Sequence, residues 1–480
     1  MPSLPRRDFL RTGAAFGGVL LLGHVFGAAD SLAKAAGSPT ALVPDPQGLL
    51  DLPPGFSYVA FSRKGETMDD GLLVPAAHDG MAAFPGPDED TVILVRNHEL
   101  DETSGASAFG EKCERLSKVP AASLYDAGDG QRILGMGGTT TLVYDLRRRK
   151  LLRHHLSLAG TLRNCAGGTT PWGSWLSCEE TVVRSKEGKE GALQNDHGYV
   201  FEVPANGQGL APPVPLKAMG RFNHEAAAVD ARSGVVYLTE DRGDGLLYRF
   251  VPSVKGRLAA GGRLEVLAVI GSKGLATSNR DLQAVSRGKK LEVNWVGLED
   301  TSSPKDDLRV QGREKGAAVF ARGEGLIAGP EGIYFSCTSG GKNSRGQVFR
   351  YVPSPAEGTP GEARSPGTLE LYAEPDDENL LDMPDNITNF PGGGILACED
   401  GPGENRLVGL RPDGTTFVLA RTTISELTGV TFAPGRKIRA EKPPRRDREE
   451  SAVAANDTTL FVNIQGYGAT FAITGPWARL

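Results

Sequence analysis

At 480 residues the chain could hold one large domain or two to three ordinary ones, so length alone does not set the architecture. Its 63 Gly and 32 Pro, with short apolar runs cut by turn residues, fit an all-β protein with many turns better than a helical one. A formal net charge of −6 offers no basic surface, which argues against nucleic acid as a partner.

The N-terminus reads as a twin-arginine export signal over residues 1–35. Arg6-Arg7-Asp8-Phe9-Leu10 precedes an apolar stretch from Ala14 to Ala29, and Ala33-Lys34-Ala35 supplies a small-x-small cleavage site. The alternative is a membrane anchor, but the stretch is rich in Gly and Ala, ends at Asp30 and falls short of the ~20 residues a span prefers. The expectation is a periplasmic or secreted protein carried by the twin-arginine machinery, with no stable membrane span after cleavage. Residues 36–480 then form a single domain.

Downstream, one pattern recurs at unequal spacing. A β-rich run ends in a polar cluster, and a second strand with aromatic or branched residues follows. The six instances begin at Thr91, Gly173, Val235, Gly332, Gly394 and Thr459. Six such units predict an all-β, six-bladed β-propeller, an architecture that solves the edge-strand problem by radial repetition. A β-sandwich is the alternative, and it accommodates so many paired strand motifs less well. Leu52 to Phe61 reads as an extra strand that completes the last blade and closes the ring. Two insertions interrupt the units. Residues 271–315, with Trp295 and Glu299-Asp300, are expected to fold over the channel mouth, and residues 434–450 to form a solvated loop.

Ahead of most runs lies a short segment that would be the innermost strand of its blade. These segments open at or near Asp79, Cys165, Glu225, Glu324, Asp385 and Glu426, so their side chains would converge near one end of the axis. Carboxylates brought together from separate blades repel one another unless cations neutralise them, which predicts a metal site.

Of the five cysteines, Cys178, Cys337 and Cys398 end similar apolar runs and read as small buried residues on equivalent strands. Cys165 stands apart, in the segment Asn164-Cys165-Ala-Gly-Gly-Thr-Thr-Pro-Trp-Gly-Ser-Trp-Leu-Ser-Cys178-Glu179-Glu180. Strand neighbours point to opposite faces, so Glu179 and Glu180 could both be ligands only where the strand ends or bends. Asn97-His98-Glu99 and Asn223-His224-Glu225 repeat one tripeptide in two blades. Glu225 is favoured as a metal ligand, whereas His98 and His224 are as readily satisfied, half-buried side chains. Arg322-Gly323-Glu324 places a guanidinium and a carboxylate on one face of an extended chain, suited to gripping a phosphate beside a cation or simply forming an ion pair. Asp385-Asn386, Glu399-Asp400 and Glu240-Asp241 add oxygen donors. No P-loop, G-x-S-x-G elbow, H-E-x-x-H or C-x-x-C motif occurs.

The segment from Asn164 to Glu180 resembles the signature of the PhoX-type bacterial alkaline phosphatases. Asn97-His98-Glu99, Asn223-His224-Glu225, Arg322-Gly323-Glu324 and Asp385-Asn386 occur in the order that family shows. The resemblance implies a six-bladed propeller that hydrolyses phosphate monoesters outside the cytoplasm with a cluster of ferric iron and calcium. It implies that Cys165 and Glu225 ligate iron, and that Glu179, Glu180, Glu324 and Asp385 complete the iron and calcium shells. It further implies that Arg322 binds the substrate phosphate, with Asn97 as a second phosphate contact, and that a metal-activated oxygen rather than a Ser or Cys side chain attacks phosphorus. The chain is shorter than better-known members of the family, and the missing loops are those that shape the rim. Two rival readings are a calcium-dependent propeller lactonase, which has no use for Cys165, and a non-catalytic ligand-binding propeller.

Overall fold

The computed structural model describes residues 41–128, 134–185, 193–435 and 458–480. The leader therefore lies outside the described residues, as does most of the 434–450 insertion. Among the described residues the chain is all-β apart from one short α-helix and a few 3-10 turns, and no helix is long and apolar enough to cross a membrane.

Strand β1 (Ser57–Phe61) is followed by β2 (His78–Pro85), β3 (Thr91–His98), β4 (Gly137–Asp145) and β5 (Lys150–Thr161), which pair in sequence as an antiparallel meander. Next come β6 (Asn164–Thr169), β7 (Ser174–Glu179) and β8 (Val200–Pro204), a three-stranded sheet. Strands β9 (His224–Val229), β10 (Val236–Glu240), β11 (Leu247–Pro252), β12 (Gly262–Val269) and β13 (Lys290–Gly297) run on in order. Helix α1 (Leu308–Glu314) then leads to β14 (Gly323–Gly329), β15 (Gly332–Cys337), β16 (Gln347–Val352) and β17 (Thr368–Ala373). These nine strands form one sheet, because β13 pairs with β12 along one edge and with β17 along the other. The last meander is β18 (Pro384–Asn389), β19 (Ile395–Glu399), β20 (Asn405–Leu410) and β21 (Thr416–Thr422). The chain finishes with β22 (Leu427–Phe432), β23 (Thr459–Ile464) and β24 (Ala469–Thr474), and β1 returns to pair with β24 from Ser57 opposite Thr474 to Phe61 opposite Thr470.

The arrangement is propeller-like, with five sheets rather than six separate ones. The difference has a definite origin in the 271–315 insertion. Its middle becomes β13, the central strand that bridges β12 and β17, where Trp295 packs against Arg249 and Tyr351 instead of covering the channel. Only residues after Asp300 turn toward the inner end of β10, where Thr301 and Ser303 carbonyls accept from the backbone and guanidinium of Arg221.

Strands β2, β6, β9, β14, β18 and β22 stand side by side, and β2 packs beside β22 to complete the circle. The apolar core is distributed between neighbouring sheets. Leu396, Leu407 and Leu419 of one sheet, for example, pack against Leu460, Phe471 and Ile473 of the next. Cys178, Cys337 and Cys398 are fully buried near the ends of β7, β15 and β19, as their apolar runs predict, and none forms a disulfide. Little room is left at the axis. A cavity of about 70 Å³ is lined by Gly80, Ala166, Gly325, Asn386 and Gly429 among others. A Cβ on Gly80 would lie 2.6 Å from Ala166 Cα, and one on Gly325 2.5 Å from the carbonyl oxygen of Asp385. Glycine at these two points lets the inner strands approach closely enough for their side chains to meet.

Candidate metal centre

Five inner strands carry a β-bulge at the same place. In β2, His78 pairs with His98 and Met81 with Arg96, so Asp79 and Gly80 are squeezed opposite one residue. The same slip falls at Cys165-Ala166 in β6, Glu225-Ala226 in β9, Glu324-Gly325 in β14 and Asp385-Asn386 in β18. A bulge re-aims a side chain that the regular pleat would send elsewhere. Here it turns one acid or thiol from each strand toward a common centre. Asp79, Glu99 and Cys165 present ligand atoms within 4.8 Å of one another, as do Cys165, Glu180 and Glu225, and again Glu225, Glu324 and Asp385. The three groups share Cys165 and Glu225, so they form one continuous cluster.

The backbone sorts the surrounding residues into two further rings. In four of the five strands the residue two places before the bulged ligand accepts a hydrogen bond from the residue just past the neighbouring strand: Glu99 N donates to Ala77 O, Glu180 N to Arg163 O, Thr338 N to Arg322 O and Asp400 N to Met383 O. A fifth such bond runs from Gln465 N to Glu426 O. Glu426 therefore matches Arg163 and Arg322 in position rather than the ligands, and Thr428 stands where a sixth ligand would. Its hydroxyl instead donates to the carbonyl of His78 at 2.7 Å. The expectation that Glu426 opens a ligand-bearing strand is corrected by this two-residue offset.

Glu179 is also corrected. The strand ends between the two glutamates, and they part company. Glu179 turns away from the cluster and accepts from Leu162 N at 2.9 Å, Gly198 N at 2.9 Å and Tyr199 N at 3.2 Å, with His197 Nδ1 at 2.7 Å. It is saturated as a structural anchor. Glu180 faces the cluster. Asn97 does not reach the opening either. It is fully buried, donating to the carbonyls of Cys165 at 3.0 Å and Ala166 at 2.7 Å, and accepting from Trp175 Nε1 and Ser177 Oγ, each at 2.9 Å. It positions Cys165. Thr239, Ser336 and Asn463 do the same for the carbonyls of Glu324, Asp385 and Asp79, each from the second strand of the preceding run.

Arg322 is one-third exposed and bonds Asp241 through Nε at 2.9 Å and Nη2 at 3.2 Å, and Glu324 through Nη2 at 2.6 Å. Its φ of +55° is left-handed, a strained setting for a side chain of this size and one often found at functional positions. Asp79 and Glu99 belong to the cluster although they are not among the metal ligands expected from sequence motifs. Asp79 was legible as a strand opener and Glu99 as the end of Asn97-His98-Glu99. Gln465 donates to both, at 3.2 Å each.

Electrostatics follow from burial. The carboxyl of Glu225 is pushed well up by burial and by Glu324 and Asp385, and Asp79 likewise by burial and by Glu99 and Glu426. Burial and Asp400 lift Asp385 to about 7. Burial lifts Glu180 to about 7 against the pull of Arg163, and burial with Asp385 lifts Glu426 to about 8. The Cys165 thiol is driven up by burial, Asp79 and Glu225. Both carboxylate oxygens of Glu225 are buried with no hydrogen-bond partner. Two orphaned oxygens at the junction of an acidic cluster with a thiol fit a resident cation, because leaving them unpaired is costly. Hard carboxylates with one soft sulfur suit a mixed set of ions. A cavity of about 900 Å³ at the outer strands, lined by Arg249, Trp295 and Lys273 among others, holds none of these side chains.

The fold and site together define a propeller-like protein with a metal-competent centre at one end of its axis. The family model for alkaline phosphatase PhoX matches residues 38–468, and the chain belongs to that family. It is a phosphoric monoester hydrolase. Among solved structures, Pseudomonas fluorescens PhoX in complex with vanadate, a transition state analogue, superposes with a TM-score of 0.63 at 18% identity, covering 92% of this chain and 97% of that one. At this identity the likeness is one of fold. A gluconolactonase of Xanthomonas campestris reaches a TM-score of only 0.37 at 11% identity, covering 86% of this chain and 92% of the other, too loose to argue from. No curated protein matches the sequence.

Proposed function

We propose that this phosphatase is exported and hydrolyses phosphate monoesters at an iron–calcium cluster held by Cys165, Glu180, Glu225, Glu324 and Asp385, with Asp79 and Glu99 completing the shell. The observation that carries this reading is the pair of unpartnered Glu225 oxygens where the groups of ligand atoms join. Cys165 favours iron beside calcium, since a thiolate is out of place on calcium alone. When bound, the ions supply Lewis-acid polarisation of the phosphoryl group and lower the pKa of water.

The protein's own groups provide the rest. Arg322, held in place by Asp241 and Glu324, offers its exposed edge to phosphoryl oxygens and stabilises charge that develops in the transition state. Asn97, Thr239 and Ser336 fix the backbone of the ligand strands, so the cluster needs little reorganisation when substrate arrives.

Reading the runs β9–β12 and β14–β17 as two blades joined through β13 supports one six-bladed domain over residues 36–480. Arg6-Arg7 supports twin-arginine export to the periplasm or beyond, and replacing both with Lys tests it by fractionation. The activity reading is tested by elemental analysis of the purified mature protein with p-nitrophenyl phosphate hydrolysis before and after calcium chelation. Iron and calcium, with activity lost on chelation, are the expected result. Calcium without iron, and no phosphate released, would overturn it.

A further inference from the structure

Arg163 and Arg322 occupy the same position in two different sheets. Each lies two residues before a bulged cluster side chain, Cys165 and Glu324 respectively, and each has a left-handed backbone, with φ of +44° and +55°. Each carbonyl accepts from the residue just past the adjacent strand, Glu180 N for Arg163 and Thr338 N for Arg322. Their side chains repeat the likeness. Arg322 reaches back to Asp241, past the end of β10 in the preceding run, and to Glu324 of its own strand. Arg163 reaches back to Glu99, past the end of β3 in the preceding sheet, at 2.6 Å, and to Glu180 of its own sheet at 2.5 Å. The strand between them in the circle is β9, which carries Glu225. Because each guanidinium reaches back toward the preceding run, the two bracket Cys165 of β6 and Glu225 of β9, the residues that the groups of ligand atoms share.

Neither arginine is used up by these bonds. Arg163 spends Nη2 on the two carboxylates and Nε on the Glu180 carbonyl at 3.1 Å, while its side chain stays 44% exposed, more open than Arg322 at 33%. A guanidinium that already neutralises cluster carboxylates through one edge can present the other to an anion arriving from solvent. A tetrahedral phosphoryl group has oxygens to spare for contacts on opposite sides.

We propose that Arg163 is a second phosphoryl-binding residue, opposing Arg322 across Cys165 and Glu225, so that the substrate is held by a two-armed clamp. The proposal rests on the phosphatase reading of the same site. Its test uses the metal-loaded enzyme and its Arg163→Ala and Arg163→Lys variants, measuring KM for p-nitrophenyl phosphate, competitive inhibition by inorganic phosphate, and bound metal by elemental analysis. The clamp predicts that Arg163→Ala raises both KM and the phosphate inhibition constant about tenfold to a hundredfold with iron and calcium content unchanged, and that Arg163→Lys recovers part of the loss. Unchanged inhibition in Arg163→Ala overturns the proposal. So does a fall in activity that tracks metal loss, which would leave Arg163 as a charge partner of Glu99 and Glu180. A wild-type protein that is metal-loaded yet releases no phosphate would sink the parent reading instead, and the two failures are distinguishable on the first assay.

Discussion

Asn97 reaches from β3 to donate its side-chain amide to the backbone carbonyl of Cys165 in the neighbouring inner strand, at 3.0 Å. A residue that the family resemblance places beside the substrate thus acts through the backbone of a metal-ligand candidate.

Replacing Asn97 with Ala leaves two carbonyls, an indole N–H and a hydroxyl without their partner in a buried setting. The expected cost is about 2–4 kcal/mol, read as a lower urea midpoint, with phosphatase activity falling as Cys165 loses its support. An unchanged midpoint would show that the neighbouring strands hold Cys165 without it.

Cys165→Ser keeps the shape but exchanges the soft sulfur for a hard oxygen. Elemental analysis is expected to show iron depleted well beyond calcium, with hydrolysis of p-nitrophenyl phosphate lost along with it. Retention of iron at the wild-type ratio would move the iron to the carboxylates.

In the metal-free protein, Glu180 and Asp385 at about 7 and Glu426 at about 8 keep protons that the unfolded chain releases near pH 4. The folded state then binds more protons, so chelated protein loses stability as pH rises from about 4 to 8. Thermal melts of chelated protein at pH 5 and pH 8 are expected to show the lower Tm at pH 8, with the metal-loaded form far less sensitive. Adding cations to the chelated protein at pH 7 is expected to release protons, visible in a weakly buffered indicator solution.

His197 provides a titration of opposite chemistry. Burial pushes its pKa down, but Glu179 and Asp126 outweigh burial and lift it to about 9, above the unfolded value of about 6.5. Its contribution is fully present below pH 6.5 and is lost as pH rises through 9, amounting to about 3 kcal/mol. His197→Gln is expected to be much less stable than wild type at pH 6 and to close most of that gap by pH 10, in urea titrations. Because Glu179 anchors this pair and leaves the cluster alone, Glu179→Gln is expected to lower stability while keeping the metals.

The repeat of paired strands and the convergence of Asp79, Cys165, Glu225, Glu324 and Asp385 were legible because apolar runs and the polar residues ahead of them recur in order. The offset of Glu426 was not legible. Its carboxylate looks like the others until the bond from Gln465 shows which ring it occupies. Glu179 and Glu180 could not be separated by type, since only the end of β7 decides which one faces inward. Asn97 was expected as a phosphate contact only through the family resemblance. Its burial, and the tryptophan it satisfies, come from a sheet far away in sequence. Residues 271–315 carried no repeat signal, and the pairing of β13 with two sheets at once depends on contacts that no local pattern announces.

The pairing of β1 with β24 sews the first strand of the described chain to its last sheet, residue 57 opposite residue 474. No intermediate lacking the final strands can seal the circle, so during synthesis the β2–β5 meander waits for a neighbour that is made last. Once sealed, both strands of the seam are held within one sheet, and unravelling the circle there requires β1 to unzip from β24. Persistence of the folded form would then depend on how slowly that seam opens, a property of the barrier more than of equilibrium stability.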